Sequence, residues 1–403
     1  MVFNKSIITR AMLCVALAAS VSACSDDDPA PIYQITATEQ LPAAGLTLKD
    51  VVINFTEINT GNVITVNSLS SINLPAGTYN IDGNAKATDA DGVEKQLRTV
   101  AKNVVITETS KSIKLEWFFY NADNSFVFSE MYVSGTLNAK GSGGLLDVFF
   151  KIYNNTDEVL YADGLAICES QMLNTTSNKI LTEASFPENN FTTQVVYVIP
   201  GKGTDVPVQP GESLLIVDQA IDWSAEMPAA LDLRNADFEW YDEVTSGSVM
   251  DTDNPDVPNL DKWFSYSPTI WRVSIQCNRS YALVRFPQGM TAEQYLANYA
   301  GDYDYIGVTG KQMTASKCYR VPNDWIIDGV NMCIASKFTQ AALSPQIDMS
   351  YTSIADEDLV TLRCSRKFVR KQAGTSPAGN VILQDTNDSA NDFVIAYANE
   401  ATN

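Results

Sequence analysis

Apolar and polar positions alternate along much of this chain with the two-residue period of strands that bury one face. The pattern runs through Leu46 to Leu48, Val51 to Thr56, Val63 to Val66, Ile72 to Ile81, Val104 to Ile106 and Ser112 to Trp117. After a break, apolar-rich runs recur in Phe126 to Gly135 and Leu146 to Leu165, and at Pro210 to Val217 Pro and Gly make a turn into a buried strand. Gly, Pro and Asn separate these runs, as turns require. The expected fold class is therefore mainly β, with a few short helices. One helix is predicted at Thr291 to Tyr299, because Thr291 with Gln294 three residues later makes a capping box. A second is predicted from Asp328 through Lys337, where Ile327, Val330 and Ile334 fall at helical spacing.

One apolar stretch has a different meaning. Met1 to Arg10, with Lys5 and Arg10 as its charges, precedes the run Ala11 to Ala19, which is too short for a lasting membrane span. Val21-Ser22-Ala23-Cys24 follows and resembles the lipobox of bacterial lipoproteins, in which the chain is cut before the cysteine and the thiol receives diacylglycerol. Residues 1–23 are accordingly expected to be a signal peptide, and Cys24 a lipid anchor to a membrane. Each buried methylene of the lipid adds ~0.8 kcal/mol to that attachment. The acids after it, Ser25-Asp26-Asp27-Asp28, resemble the export signal that sends Bacteroidetes lipoproteins to the outer face of the outer membrane. Residues 24–35 then read as a polar tether; the plainer alternative is that the acids only solvate it.

Charge and composition narrow the function. The formal net charge of −21 becomes −23 when two positive charges leave with the leader. Nucleic acid, held mainly by Lys and Arg on phosphate, is thereby excluded as an expected partner. The chain has no histidine, which removes His-dependent triads and His-bound zinc or haem. Cys168, Cys277, Cys318, Cys333 and Cys364 remain after the anchor, and in an exported protein one or two disulfides are expected among them.

Two longer segments resemble known families. Leu74-Pro75-Ala76-Gly77-Thr78-Tyr79 is similar to the corner of transthyretin-like and carboxypeptidase-regulatory modules, which implies a small β-sandwich over residues 36–118. Phe126 to Gly135, then Asp147 to Asn154, then Asp163-Gly164-Leu165 resemble the lamin-tail domain, an immunoglobulin-like sandwich. Lys151 stands where that family usually carries an acid. The likeness continues to Gln384-Asp385-Thr386-Asn387-Asp388-Ser389-Ala390-Asn391-Asp392-Phe393, implying a second sandwich over 126–395 with long loop insertions. Leader, first module and enlarged second domain together resemble a family of Bacteroidetes surface lipoproteins, a resemblance that implies a fold and a location and no activity.

The insertions hold the candidate chemistry. Phe238, Trp240, Tyr241, Trp263, Phe264 and Trp271 could form a platform for a ligand on loops carried by a rigid sandwich, or a small core of the loops' own. Asp251, Asp253 and Asp256 offer oxygen ligands of the kind calcium takes, without the spacing of an EF-hand. No nucleophile elbow, phosphate loop or dinucleotide fingerprint is present. The expected function is that of a surface-exposed, lipid-anchored binding or accessory protein beside an outer-membrane β-barrel transporter, capturing a nutrient or metal complex. A structural, adhesive or glycan-binding lipoprotein is the alternative, and a calcium-dependent hydrolase a third reading; the leading reading makes the chain a non-enzyme.

Overall fold

The computed structural model describes residues 30–400 apart from 42–43, 89–93, 108–110, 120–124, 142–143, 245–249, 335–336, 355–363 and 377. Cys24, Ser25 and Asp26 to Asp28 lie outside the described residues. Among these no helix is long and apolar enough to cross a membrane.

The first sandwich is built from β1 (Ile32–Gln40), β2 (Leu48–Glu57), β3 (Val63–Val66), β4 (Ile72–Pro75), β5 (Gly77–Thr88), β6 (Glu94–Ile106) and β7 (Lys111–Phe119), in the order β3-β2-β5-β6-β7-β1-β4. Alternation is complete along β5, where Tyr79, Ile81, Ala85 and Ala87 turn inward and their neighbours outward. Phe55 and Ile81 from one half of the sheet share a core with Ile35, Leu74 and Leu115 from the other. The sheet must therefore curl over on itself. The Pro75 to Gly77 turn carries the chain from the edge strand β4 to β5 at the other half's centre, and the Tyr79 hydroxyl closes that corner on the Pro75 carbonyl oxygen at 2.9 Å. β1 begins at Ile32 and pairs with β4 through Ile32 to Ile35, so the last residues of the expected tether are part of the sheet.

The second sandwich has two principal sheets. One orders the strands Phe238–Glu239, Ser213–Val217, Phe149–Asn154, Phe126–Tyr132, Arg366–Arg370 and Phe393–Tyr397. The other orders Asp261–Ser265, Asn190–Val198, Leu165–Ser170, Ser280–Arg285 and Ile326–Asn331, with Tyr319–Pro322 also paired to the start of Asn190–Val198. Phe128, Phe150 and Ile216 from the first meet Ile167, Leu283 and Val330 from the second in the main core. The outer faces are not left to solvent. Trp223 and Leu233, from the insertion after Val217, cover one sheet, and Tyr295 and Tyr303, from the insertion after Phe286, cover the other.

Local rules explain the helices. α1 (Ala292–Asn298) forms with Thr291 and Gln294 bonded reciprocally as a capping box, as predicted. α2 (Ser389–Asp392) is one turn, started by Asp388 accepting from the Asn391 N–H. The helix expected from Asp328 does not form. Ile326–Asn331 is a strand, paired with Ser280–Arg285. Gly329 lies against the next segment so closely that a Cβ would stand 2.5 Å from Ile347 Cγ2. Nor do the expected disulfides form: all five cysteines described are free thiols, four of them buried, and burial pushes Cys318 up to about 12.

Buried charge ties the second sandwich together. Arg370 lies 2.6 Å from Asp328, 3.2 Å from Asp385 and 3.8 Å from Asp392, and donates to the carbonyl oxygens of Phe128 and Gln384. Glu130 receives Lys151 at 2.7 Å and Lys367 at 2.6 Å, so the lysine that departs from the lamin-tail pattern has an acid on the adjacent strand. The two sandwiches touch where Arg98 and Lys102 of β6 reach the Met349 sulfur and carbonyl oxygen.

Asp348 is fully buried, and burial raises its carboxyl to about 7 although Ser389, Asn331 and Ser350 donate hydrogen bonds to it. Lys102 is a cation that feels it. A carboxyl raised on folding contributes stability that is whole below its unfolded value, near 4, and lost as pH climbs through 7. Asp348→Asn is expected to lower the melting temperature at pH ~4 and to flatten its fall between pH ~4 and pH ~7, by thermal unfolding of both proteins across that range. Parallel pH profiles in the two would assign the titration elsewhere.

Candidate functional site

The six candidate aromatics do not form one platform. Trp240 and Trp271 are 0% exposed and Phe238 5%, all within the main core. Trp271 stacks on Tyr197 at 5.2 Å, Trp240 packs on Trp271 at 5.1 Å, and Phe150 closes on Trp240 at 5.7 Å. The insertion thus turns back between the sheets because its large rings bury more apolar area there than any loop surface could offer. Buried acids fix its return. Asp242 accepts from the Tyr197 hydroxyl, Lys262 and the Trp271 N–H at 2.6–2.7 Å, and Glu239 accepts the backbone N–H groups of Ala220 and Asn254. Tyr241 is half-buried beside this segment, and Phe264 packs edge-on against Tyr319 at 4.5 Å.

The candidate calcium ligands Asp251, Asp253 and Asp256 are placed apart. Asp251 accepts from the Gln219 amide at 2.6 Å and the Asp242 N–H at 2.9 Å, and Arg272 stands 3.7 Å away. Asp253 holds the Asn259 amide, while the Asp256 N–H bonds Asn254. These carboxylates fasten a turn and do not converge. Among the described residues no group of three or more acids or thiols is placed to hold a metal ion.

Trp263 has a different place. It is partly exposed, tilted against Phe286 at 4.6 Å, and lines a cleft of about 620 Å³ at one end of the second sheet. Three segments make that cleft. Strand Asp261–Ser265 pairs with Asn190–Val198 through a bulge at Trp263, and both Asp261 and Trp263 line the cleft. The turn Pro200 to Gly203 follows Asn190–Val198, and Asp163 organises it by accepting the N–H groups of Gly203, Asp205 and Val206 at 2.9–3.1 Å. Partial burial pushes the Asp163 carboxyl up, yet these donors outweigh it and hold the group below the ordinary range. Gly201 is obligatory there: at φ 146° its Cβ would fall 1.9 Å from Asp163 Oδ1. The third wall is Phe286 to Met290, leading into α1. Arg285 braces the site by donating to the carbonyl oxygens of Asp163 and Tyr161, both at 2.9 Å.

This cleft has spare bonding capacity. The side chains of Asp261, Lys202 and Gln288 line it and make no hydrogen bond or ion pair with the described residues. Burial alone raises the Asp261 carboxyl. A second cleft, of about 680 Å³, lies between residues 155–158 and the hairpin Gln372–Leu383. There Asp157 is bonded to Ser376 and Asn380, Asn155 to Leu383, and Asp385 to Arg370. That lining is engaged in holding the fold. A volume of hundreds of Å³ suits a small ligand, and the cleft at Trp263 offers it a wall of mixed polar and apolar groups. Sequence reasoning found Trp263 and missed Asp261, Lys202, Gln288 and Arg285, because nothing in the spacing of the segments that carry them says that they meet.

Residues 209–399 match the family described as "Protein of unknown function (DUF4876)". A similar solved structure is that of a DUF4876 family protein from Bacteroides thetaiotaomicron VPI-5482, 21% identical, with a TM-score of 0.55 over 90% of this chain and 94% of that one. The likeness establishes the fold. No curated protein matches the chain.

Core and cleft residues should respond differently to mutation. Trp240→Ala is expected to cost about 3–5 kcal/mol of stability in urea denaturation. Asp261→Asn and Gln288→Ala, which break no bond within the protein, should stay within about 0.5 kcal/mol of the parent. A large loss from either of the latter would mean that the cleft lining holds the fold.

Proposed function

We propose that the mature protein is a lipoprotein anchored through Cys24 to the outer membrane, facing the cell exterior, and that it captures a ligand in the cleft at Trp263 as an accessory to a β-barrel transporter. The observation that carries the binding role is the set of unengaged polar side chains beside a partly exposed tryptophan. The place rests on the order of basic residues, apolar run and Val21-Ser22-Ala23-Cys24, and on the acids Asp26 to Asp28. A high negative charge suits a protein that must stay soluble on a crowded surface. In this reading the curled first sheet, with its Tyr79 corner, is a transthyretin-like spacer, and the second sandwich is a lamin-tail-like scaffold whose loops carry the site.

Cys24→Ala is expected to leave the precursor uncut by lipoprotein signal peptidase and free of lipid, and palmitate labelling that persisted would refute the anchor. Replacing Asp26, Asp27 and Asp28 with Ala should keep the lipid but remove the protein from the outer face, so protease added to intact cells would no longer reach it. Unchanged cleavage would reduce the acids to a solvated tether. Co-purification from native membranes tests the accessory role, which fails if no outer-membrane barrel accompanies the protein.

A further inference from the structure

The cleft's chemistry narrows the ligand class, an inference that rests on the reading of this cleft as the binding site. The free groups are a carboxylate that only accepts hydrogen bonds at neutral pH, an ammonium that only donates, and an amide that does both. Asp261, Lys202 and Gln288 therefore suit a ligand whose polar groups also donate and accept. The signs of charge argue the same way. An anion would meet the unpaired Asp261, and a cation would meet Lys202 and Arg285. A charge set against a like charge costs affinity, less so where both are exposed as here, and specificity arises from such repulsion as well as from attraction. A neutral polyhydroxylated molecule meets neither obstacle.

Shape adds a second constraint. Trp263 is backed by Phe286, itself packed edge-on against Tyr295 at 4.9 Å and Trp325 at 5.7 Å, so its ring is held from behind by other rings. Gly203 and Gly289 line the same cleft with open space where a Cβ would stand. A cleft lined by a braced aromatic ring and by bare backbone has room for a pyranose ring, whose C–H face is apolar and whose rim carries hydroxyls. We infer that the cleft formed by Trp263, Asp261, Lys202, Gln288 and the glycine turns at 201–203 and 289 binds a neutral glycan, with one sugar stacked on Trp263.

The test uses the full chain purified in detergent, titrated by calorimetry with maltohexaose, cellohexaose, mannohexaose and xylohexaose, and with sialyllactose and haemin as charged comparisons. At least one neutral hexasaccharide is expected to bind and to change tryptophan fluorescence. Trp263→Ala, with its fold checked by circular dichroism, should weaken that binding by about tenfold or more, as loss of a central aromatic anchor does. Trp263→Phe, which keeps a ring, should lose less, and it answers for the site should the alanine variant fail to fold. Asp261→Asn and Gln288→Ala should each weaken binding severalfold without moving the melting temperature. If none of the neutral probes binds, the glycan inference is overturned. If haemin or sialyllactose binds instead and is lost in these variants, the cleft remains the binding site and the ligand class is wrong. A hexasaccharide that binds equally well to all the variants would overturn both the inference and the placing of the site.

Discussion

The second sandwich depends on one buried cation. Arg370 comes from the strand Arg366–Arg370, yet its partners come from Ile326–Asn331, from the strand Phe126–Tyr132 and from the turn and helix near the C-terminus. Its guanidinium also lies 4.6 Å from the centre of the Phe393 ring. A planar fork with about five donors is suited to this, because it can satisfy several acceptors in fixed directions at once. Burial lifts Asp328 to about 6 even with Arg370 beside it, so the group is costly to place and is retained through close pairing. Such a node says little about net stability, since desolvation consumes much of what attraction returns. It says more about uniqueness: strands far apart in sequence have one arrangement in which the charges all meet.

That node explains why the acid-rich ending of the chain was readable. Asp388 starts α2, Asp392 accepts from Thr386, and Asp385 reaches Arg370, so each acid in the segment has a structural task. The signal was local, and local signals read well. The same holds for the alternation of β5 and for the capping box at Thr291. The segment Ile326–Asn331 failed for the opposite reason. A strand covered on both faces shows a run of apolar residues, which cannot be told from a buried helix by spacing alone. The tight approach of Leu343 and Ile347 to Gly329 decides the matter, and that contact is invisible in one dimension.

The aromatic residues teach a related lesson. Trp240 and Trp263 stand in similar sequence surroundings, between acids and turns, yet one is sealed in the core and the other opens on a cleft. Which of them is free depends on where Asp242 pins the returning loop, through Tyr197, Lys262 and the Trp271 N–H. The buried pair and the partly exposed ring belong to one construction. Packing Trp240 and Trp271 between the sheets makes the insertion a rigid extension of the sandwich, and the strand that carries Trp263 pairs at its end with Asn190–Val198, with Trp263 at a bulge.

The early start of β1 has a mechanical consequence. If Cys24 carries the lipid, seven residues separate it from the first paired position, Ile32, and the eight steps reach at most about 26–29 Å when fully extended. The body of the protein is thus kept close to the bilayer surface. Any tug between membrane and protein enters along β1, which lies between β4 and β7 and runs parallel to β7 from Ile35 to Gln40. β1 pairs with β4 through Ile32 to Ile35 and with β7 from Ile35 onward, so load along it strains each ladder in shear, several hydrogen bonds together, whereas a strand peeled from its edge gives up its bonds in succession. With Cys24 lipidated, the first sandwich would be the shackle between the lipid and the region of the molecule that carries the cleft.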